Sequence, residues 1–167
     1  WYTGDKETLA EVYPAVQRYI ALWKKGPKGT VLLRDGGWNW GDWGDNIDIL
    51  PLQNAWYYLM IKGMRNAAEV LGHAADARSY TEEMAALKQA FNSHFWNGKE
   101  YRDPEYKKAT DDRVHALAVV SGLADPDKYP AILNVFRSQE NASPYMEKYV
   151  FEALMQMGNG DEGFARH

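Results

Sequence analysis

The chain has no cysteine. Disulfides, thiolate nucleophiles and cysteine-held metals are therefore excluded, and the redox state of its compartment stays open. No apolar run approaches the ~18 residues of a membrane span. There is no block of lysine or arginine either. The 19 basic residues are outnumbered by 23 acidic ones, a net charge of −4, which argues against nucleic acid and against an anionic membrane surface as partners. His73, His94 and His167 have no partner at metal-ligand spacing, so no protein-built metal site and no cofactor is expected. Hairpin signals between alternating apolar strands are also missing.

What the chain does have is helical periodicity. Leu9, Val12, Tyr13, Val16, Tyr19, Ile20 and Trp23 recur at three- and four-residue steps, which predicts an amphipathic helix over about 6–25. Pro14 should kink that helix or mark a first-turn restart, and Gly26-Pro27-Lys28-Gly29 should end it. Residues 30–33 read as extended. Pro51 opens a long helix closed by Gly72. A third runs over about 75–95 on Tyr80, Met84, Leu87, Phe91 and Phe95, until Asn97-Gly98 breaks it. A fourth covers 112–121. Asp125-Pro126 and Ser143-Pro144 each set a cap before a proline at the first helical position, starting a fifth helix to about 138 and a sixth closed by Gly158. A seventh begins near Asp161. The class is all-α, with short connections that imply antiparallel hairpins. No fixed sequence period points to a regular solenoid.

A hydrophobic share of 46% is enough for residues 1–167 to form one folded segment with a core. The chain opens on Trp1-Tyr2 without a methionine and stops directly after a helix-like stretch. Both ends read as cut, so a piece of a longer protein is expected, and a missing leader says nothing about localisation.

Residues 38–48 carry the functional signal: Trp-Asn-Trp-Gly-Asp-Trp-Gly-Asp-Asn-Ile-Asp. Three of the seven tryptophans and three carboxylates fall in this stretch. A pyranose presents a C–H face that stacks on indole and hydroxyls that bond to carboxylates. Gly41 and Gly44 allow the sharp turns that bring such groups together. The segment therefore reads as a wall of a carbohydrate site; the competing reading is a plug at the end of a helical core. Trp38 and Trp40 alternate with Asn39, so one of the two is expected in the core.

Other pieces extend the pattern. They are Tyr2-Thr3-Gly4-Asp5, Trp40-Gly41-Asp42-Trp43, Ala90-Phe91-Asn92 with Phe95-Trp96 and Tyr101, and Asp112-Arg113 before Ala116-Leu117-Ala118. Ser143-Pro144-Tyr145-Met146-Glu147 with Tyr149, and Glu152-Ala153-Leu154 up to Gly158, complete them. In this order, over nearly the whole chain, they resemble the catalytic domain of family 78 glycoside hydrolases, the α-L-rhamnosidases. The resemblance implies an (α/α)6 barrel, of which the chain would hold about half, and an inverting hydrolase of terminal α-linked L-rhamnose. It implies a general acid just before the Thr-Gly-Asp motif and a general base beyond the last residue. Both are then expected outside this chain, which alone should not catalyse.

The resemblance also assigns substrate-binding candidates. Asp5 matches a family carboxylate that contacts the sugar, and Tyr2 stands where the family usually has tryptophan. Trp43 matches the stacking tryptophan, with Asp42 its partner and Trp40 beside it. Each has a bland alternative. Asp5 would also serve as a helix N-terminal acid, and Asp42 as a turn cap. Asp45 and Asp48 precede Pro51 and read as caps of the second helix. Glu147, flanked by Tyr145 and Tyr149, is the remaining candidate; a helix acid beside Lys148 is more often structural. Asp111, Asp112 and Arg113 read as a first-turn acid pair with an ion pair, and His115 as a packed histidine. The expected partner is a rhamnoside. Half a barrel would expose an apolar face, so self-association is expected as well. Two alternatives stay open: another (α/α)6 glycosidase, and a non-catalytic helical module that binds glycan or protein.

Overall fold

The structure, a computed structural model, describes residues 3–37 and 39–166. Seven α-helices carry it: α1 (Lys6–Ile20), α2 (Ile49–Leu71), α3 (Ala74–Phe95), α4 (Asp112–Ser121), α5 (Tyr129–Ser138), α6 (Pro144–Gln156) and α7 (Gly160–Ala165). Tyr2, Trp38 and His167 lie outside the described residues.

Most helix ends fall where the sequence puts them. α3 buries Tyr80, Met84, Leu87, Phe91 and Phe95, the apolar stripe read from spacing. α2 closes on Gly72 at φ 79°, where His73 N–H donates to the Ala68 carbonyl at 2.8 Å, a left-handed C-terminal cap. α1 runs through Pro14 but stops at Ile20, short of the expected end. The turn at Gly26-Pro27-Lys28-Gly29 is the cause. It pairs Gly26 N–H with the Thr30 carbonyl (2.8 Å) and Leu32 N–H with the Lys24 carbonyl (2.9 Å), so residues 24–26 leave the helix for a short bridged ribbon. Fully buried Asn54 fastens that ribbon to α2. Its Oδ1 accepts from Val31 N–H at 2.8 Å and its Nδ2 donates to the Val31 carbonyl at 3.0 Å.

The fifth helix starts late. Residues Pro126–Lys128 form a 3-10 turn before α5. Pro130 has no N–H to give the Pro126 carbonyl, so Tyr129 donates to it instead and the first turn tightens.

The helices form two layers. α2 packs on α1, α3 and α4; α4 packs on α5 and α6; α6 packs on α7. α2, α4 and α6 thus form an inner row, backed by α1, α3, α5 and α7. The N-terminal ends of the inner row meet: Asp48 N–H, before α2, donates to the carboxylate of Asp111, before α4. Ser143, before α6, is held by Asp42 of the Trp segment. Adjacent inner helices therefore run the same way, as they must in a barrel of α-hairpins. α4 is buried on all sides from Asp111 to Val119. α2 and α6 instead each leave one stripe partly open, with Val70 and Gly63 on α2 and Tyr145 and Met155 on α6.

Candidate functional site: an aromatic shelf over a buried ion pair

The Trp segment sits where the inner helices begin, and a buried arginine holds it there. Arg113, in the first turn of α4, is 1% exposed. Its Nε donates to Asp111 Oδ1 at 2.7 Å and one terminal nitrogen to Asp42 Oδ2 at 3.2 Å. The guanidinium also donates to the carbonyls of Trp43 (3.1 Å) and Asn46. One α4 side chain thus fixes three residues of the loop. The planar fork of arginine suits this task, where a lysine would supply one point charge.

Asp42 ties the loop to α6 as well. Ser143 N–H donates to its Oδ2 at 2.9 Å and Ser143 Oγ–H to its Oδ1 at 2.5 Å. Ser143 therefore spends its hydroxyl on Asp42 and does not cap α6 through its side chain; an ionised acceptor outcompetes the backbone. Burial opposes charge on Asp42, but the bonds from Ser143, the Trp43 backbone and Arg113 outweigh it and hold the carboxyl below its usual range. Gly41 lies against Leu52, Ile47 and Ile49, and a Cβ there would meet all three within 3 Å.

Asp48 is a buried acid that forms no ion pair among the described residues. It stands before α2 but makes no side-chain bond to that helix. Its Oδ2 accepts from Asp103 N–H at 2.8 Å, joining the Trp segment to the 97–111 loop. Burial pushes its carboxyl up to about 7, with the Asp103 N–H pulling back and the Asp103 and Asp111 charges adding to the rise. Fully buried His115 is shifted the other way. Its Nε2 accepts from Tyr101 N–H at 2.8 Å and its Nδ1 faces the Asp111 carbonyl, and burial lowers it to about 4.

These two groups set opposite pH slopes. Between the ordinary aspartate value of 3.8 and about 7, folded Asp48 binds a proton that the unfolded chain has lost, so its contribution to stability falls as pH rises. Between about 4 and 6.5, unfolded His115 binds the extra proton, so its contribution rises with pH. Asp48→Asn removes the first slope alone. The variant should gain about 1–2 kcal/mol at pH 8 over the wild type. Its stability should climb from pH 4 to 6.5 and then level. Urea unfolding across that range tests this, and a variant less stable than wild type at pH 8 would contradict it.

Above the ion pair lies an aromatic shelf. The Trp40 and Trp43 rings meet edge-on at 5.2 Å, and Trp40 lies 5.7 Å from Tyr145 of α6. Tyr145 meets Tyr149 at 6.3 Å, and Tyr149 meets Trp56 of α2 at 5.3 Å. Trp43 is 65% exposed and Tyr145 is 45% exposed. Gln53 of α2 donates to the Trp40 carbonyl at 2.6 Å. A groove of about 270 Å³ runs along the shelf from Trp40 to Trp23. A flat apolar face rimmed by polar groups is what a pyranose needs.

The structure brings Trp40, Trp43 and Asp42 together, though Asp42 has no exposed side-chain surface and both its oxygens are bonded. Glu147 is near the same end but ion-paired with Arg166 at 2.5 Å; Arg166 also reaches Asp112 at 2.6 Å. Asp5 is not brought to them. It is exposed and caps α1 through Thr8 N–H at 3.0 Å and Thr8 Oγ at 2.7 Å, and these bonds lower its carboxyl. It lines a cleft with Gly63, Asn66 and Val70 of α2. The Trp40 carbonyl is anchored at Gln53, and from there to Asn66 is roughly 20 Å along a helix of 1.5 Å rise. Tyr2 lies outside the described residues. Among the described residues, no group of three His, Cys, Asp or Glu could hold a metal ion, and no helix is long and apolar enough to cross a membrane.

Residues 1–145 match the family described as the bacterial alpha-L-rhamnosidase 6 hairpin glycosidase domain. The chain belongs to this family. Its fold is shared with solved structures. A family 78 rhamnosidase of Bacillus sp. GL1 superposes with a TM-score of 0.82 at 20% identity, over 98% of this chain and 19% of that one. The alpha-L-rhamnosidase from Dictyoglumus thermophilum gives 0.77 at 22% identity, over 96% and 19%. A rhamnosidase from Klebsiella oxytoca with rhamnose bound gives 0.78 at 20% identity, over 93% and 32%. The chain thus spans between a fifth and a third of their lengths. No curated protein matches it. The inner row of α2, α4 and α6 is about half of the six-hairpin barrel.

Within this rhamnosidase domain, sequence reasoning singled out the Trp segment but passed over what supports it. Trp56 lay inside an ordinary apolar helix, and nothing local marks it as shelf. Tyr145 and Tyr149 read in the sequence as flanks of Glu147 and as part of the family motif, and nothing local marks them as one aromatic surface with Trp40 and Trp56. Arg113 was read as one half of an ion pair, which it is; its reach to residues 42–46 has no local signature.

Proposed function

We propose that this chain is part of an inverting α-L-rhamnosidase and supplies the stacking wall for the terminal rhamnosyl ring. The observation that carries the reading is the exposed Trp43 indole, set against Trp40 and anchored by its own carbonyl to a buried arginine. Family membership and the rhamnose-bound relative support the choice of sugar. In this reading the C–H face of rhamnose lies on Trp43, and Asp42 holds the loop through Ser143 and Arg113.

Inversion requires two carboxyl groups ~6.5–9.5 Å apart with a water between one of them and the sugar. Asp42 has no oxygen to spare, and Glu147 is committed to Arg166. This accords with the family resemblance, which implies an acid and a base supplied by other parts of the full-length protein. The test is hydrolysis of a panel of aryl glycosides by that protein, with the anomer first released read by NMR. Release of β-L-rhamnose from the α-L-rhamnoside supports the reading. Turnover of glucosides, mannosides or fucosides alone would overturn it.

The open stripes on α2 and α6 would be covered by the remaining hairpins of the barrel. The isolated segment should therefore self-associate through them. A strictly monomeric sedimentation profile would count against this.

A further inference from the structure

Gln53 is the amide in the wall of the aromatic groove. It lines that groove of about 270 Å³ together with Tyr19, Trp23, Trp40, Trp56 and Tyr145. On α2 it shares a stripe with Trp56 and Met60, three and seven positions further on, which face the same groove. Its half-buried side chain is pinned at one end, where Nε2 donates to the Trp40 carbonyl at 2.6 Å. A carbonyl can only accept, so the NH2 end of the amide faces Trp40 and Oε1 is turned away from it. No donor meets that oxygen among the described residues, and it keeps access to solvent, unlike the orphaned indole N–H of Trp23. The tether therefore leaves one carbonyl oxygen in a fixed orientation on the groove wall.

An amide oxygen accepts and cannot donate, so a ligand that uses it must present a donor. No Asp, Glu, Lys, Arg or His among the described residues lines the groove. A charged ligand would therefore lose its water there without gaining a counter-ion. A ring hydroxyl answers both demands, being a neutral donor on a ring whose C–H faces suit indole and phenol walls. We infer that Gln53 is a substrate-binding residue whose Oε1 accepts from one hydroxyl of a neutral sugar ring seated in the groove. That the ring is rhamnosyl rests on the function proposed above. The demand for a neutral donor does not rest on it.

The test is calorimetry on the full-length protein with L-rhamnose and its 2-, 3- and 4-deoxy analogues. For one analogue the loss of affinity should be about fivefold or more in the wild type and should vanish in Gln53→Leu, which has no acceptor. Gln53→Glu keeps an acceptor and should preserve that gap. Both variants lose the N–H that holds Trp40. A residue that only tethered the loop would thus weaken every sugar alike and leave all three gaps unchanged. Unchanged gaps in Gln53→Leu, or the same gap closed in both variants, would overturn the inference. Gln53→Ala takes the place of Gln53→Leu if that variant does not fold. Should L-rhamnose not bind the wild type, the rhamnosidase reading fails on its own. The deoxy series of whichever sugar the glycoside panel shows to be cleaved then decides Gln53, and a protein that binds none of them overturns its role.

Discussion

Arg113→Met should destabilise the chain by about 3–5 kcal/mol, the range for removing one partner of a buried ion pair. The reason is what stays behind. Arg113 is 1% exposed and bonds to both oxygens of Asp111, to Asp42 and to the carbonyls of Trp43 and Asn46. Methionine fills a similar volume but leaves two buried carboxylates without their cation, and two loop carbonyls without a donor. Asp42 retains Ser143 and Asp111 retains the Asp48 N–H, so the network is weakened at its centre. Arg113→Lys should fall between the two, because one ammonium cannot span acceptors on both sides. Adding Asp111→Asn to Arg113→Met should recover part of the loss, since it removes one stranded charge. Urea denaturation gives all three values. A loss below ~1 kcal/mol in Arg113→Met, typical of a surface pair, would mean the ion pair does not hold the loop.

The same network marks the boundary of what the sequence discloses. Helix α3 is legible nearly to the residue because its apolar stripe repeats within one turn. The end of α1 is not, because residues 24–26 are drawn out by a ribbon that depends on Asn54, more than twenty positions away. Ser143 looked like a cap for α6, and by local rules it was a good one. It instead donates to Asp42, a contact 101 positions apart in the chain. Asp5 reads equally well as a helix cap or a sugar ligand from its motif; the direction of α1 along α2 places it at the far end from the shelf. Periodicity and caps are short-range signals, so they report elements. Which loop meets which helix end is set by barrel closure, and the site is made of those meetings.

Trp43→Ala in the full-length protein should raise KM for an aryl α-L-rhamnoside, and Ki for L-rhamnose, by roughly 10- to 100-fold, or about 1.4–2.8 kcal/mol. The fold should hardly notice. The indole is 65% exposed, so little buried area is lost, and the anchor of residue 43 is its carbonyl bonded to Arg113, which alanine keeps. Exposed substitutions of this kind stay within about 0.5 kcal/mol. Trp40→Ala makes the contrast. Trp40 bridges Trp43 and Tyr145, and its carbonyl is held by Gln53, so its loss should weaken both stability and binding. An intact fold with wild-type KM and Ki in Trp43→Ala would remove the stacking wall from this chain. Weaker binding together with a collapsed melting temperature would instead make Trp43 a packing residue of the loop. Separation of the two effects between Trp43 and Trp40 is therefore what a sugar platform requires: one ring given to the ligand, resting on another given to the fold.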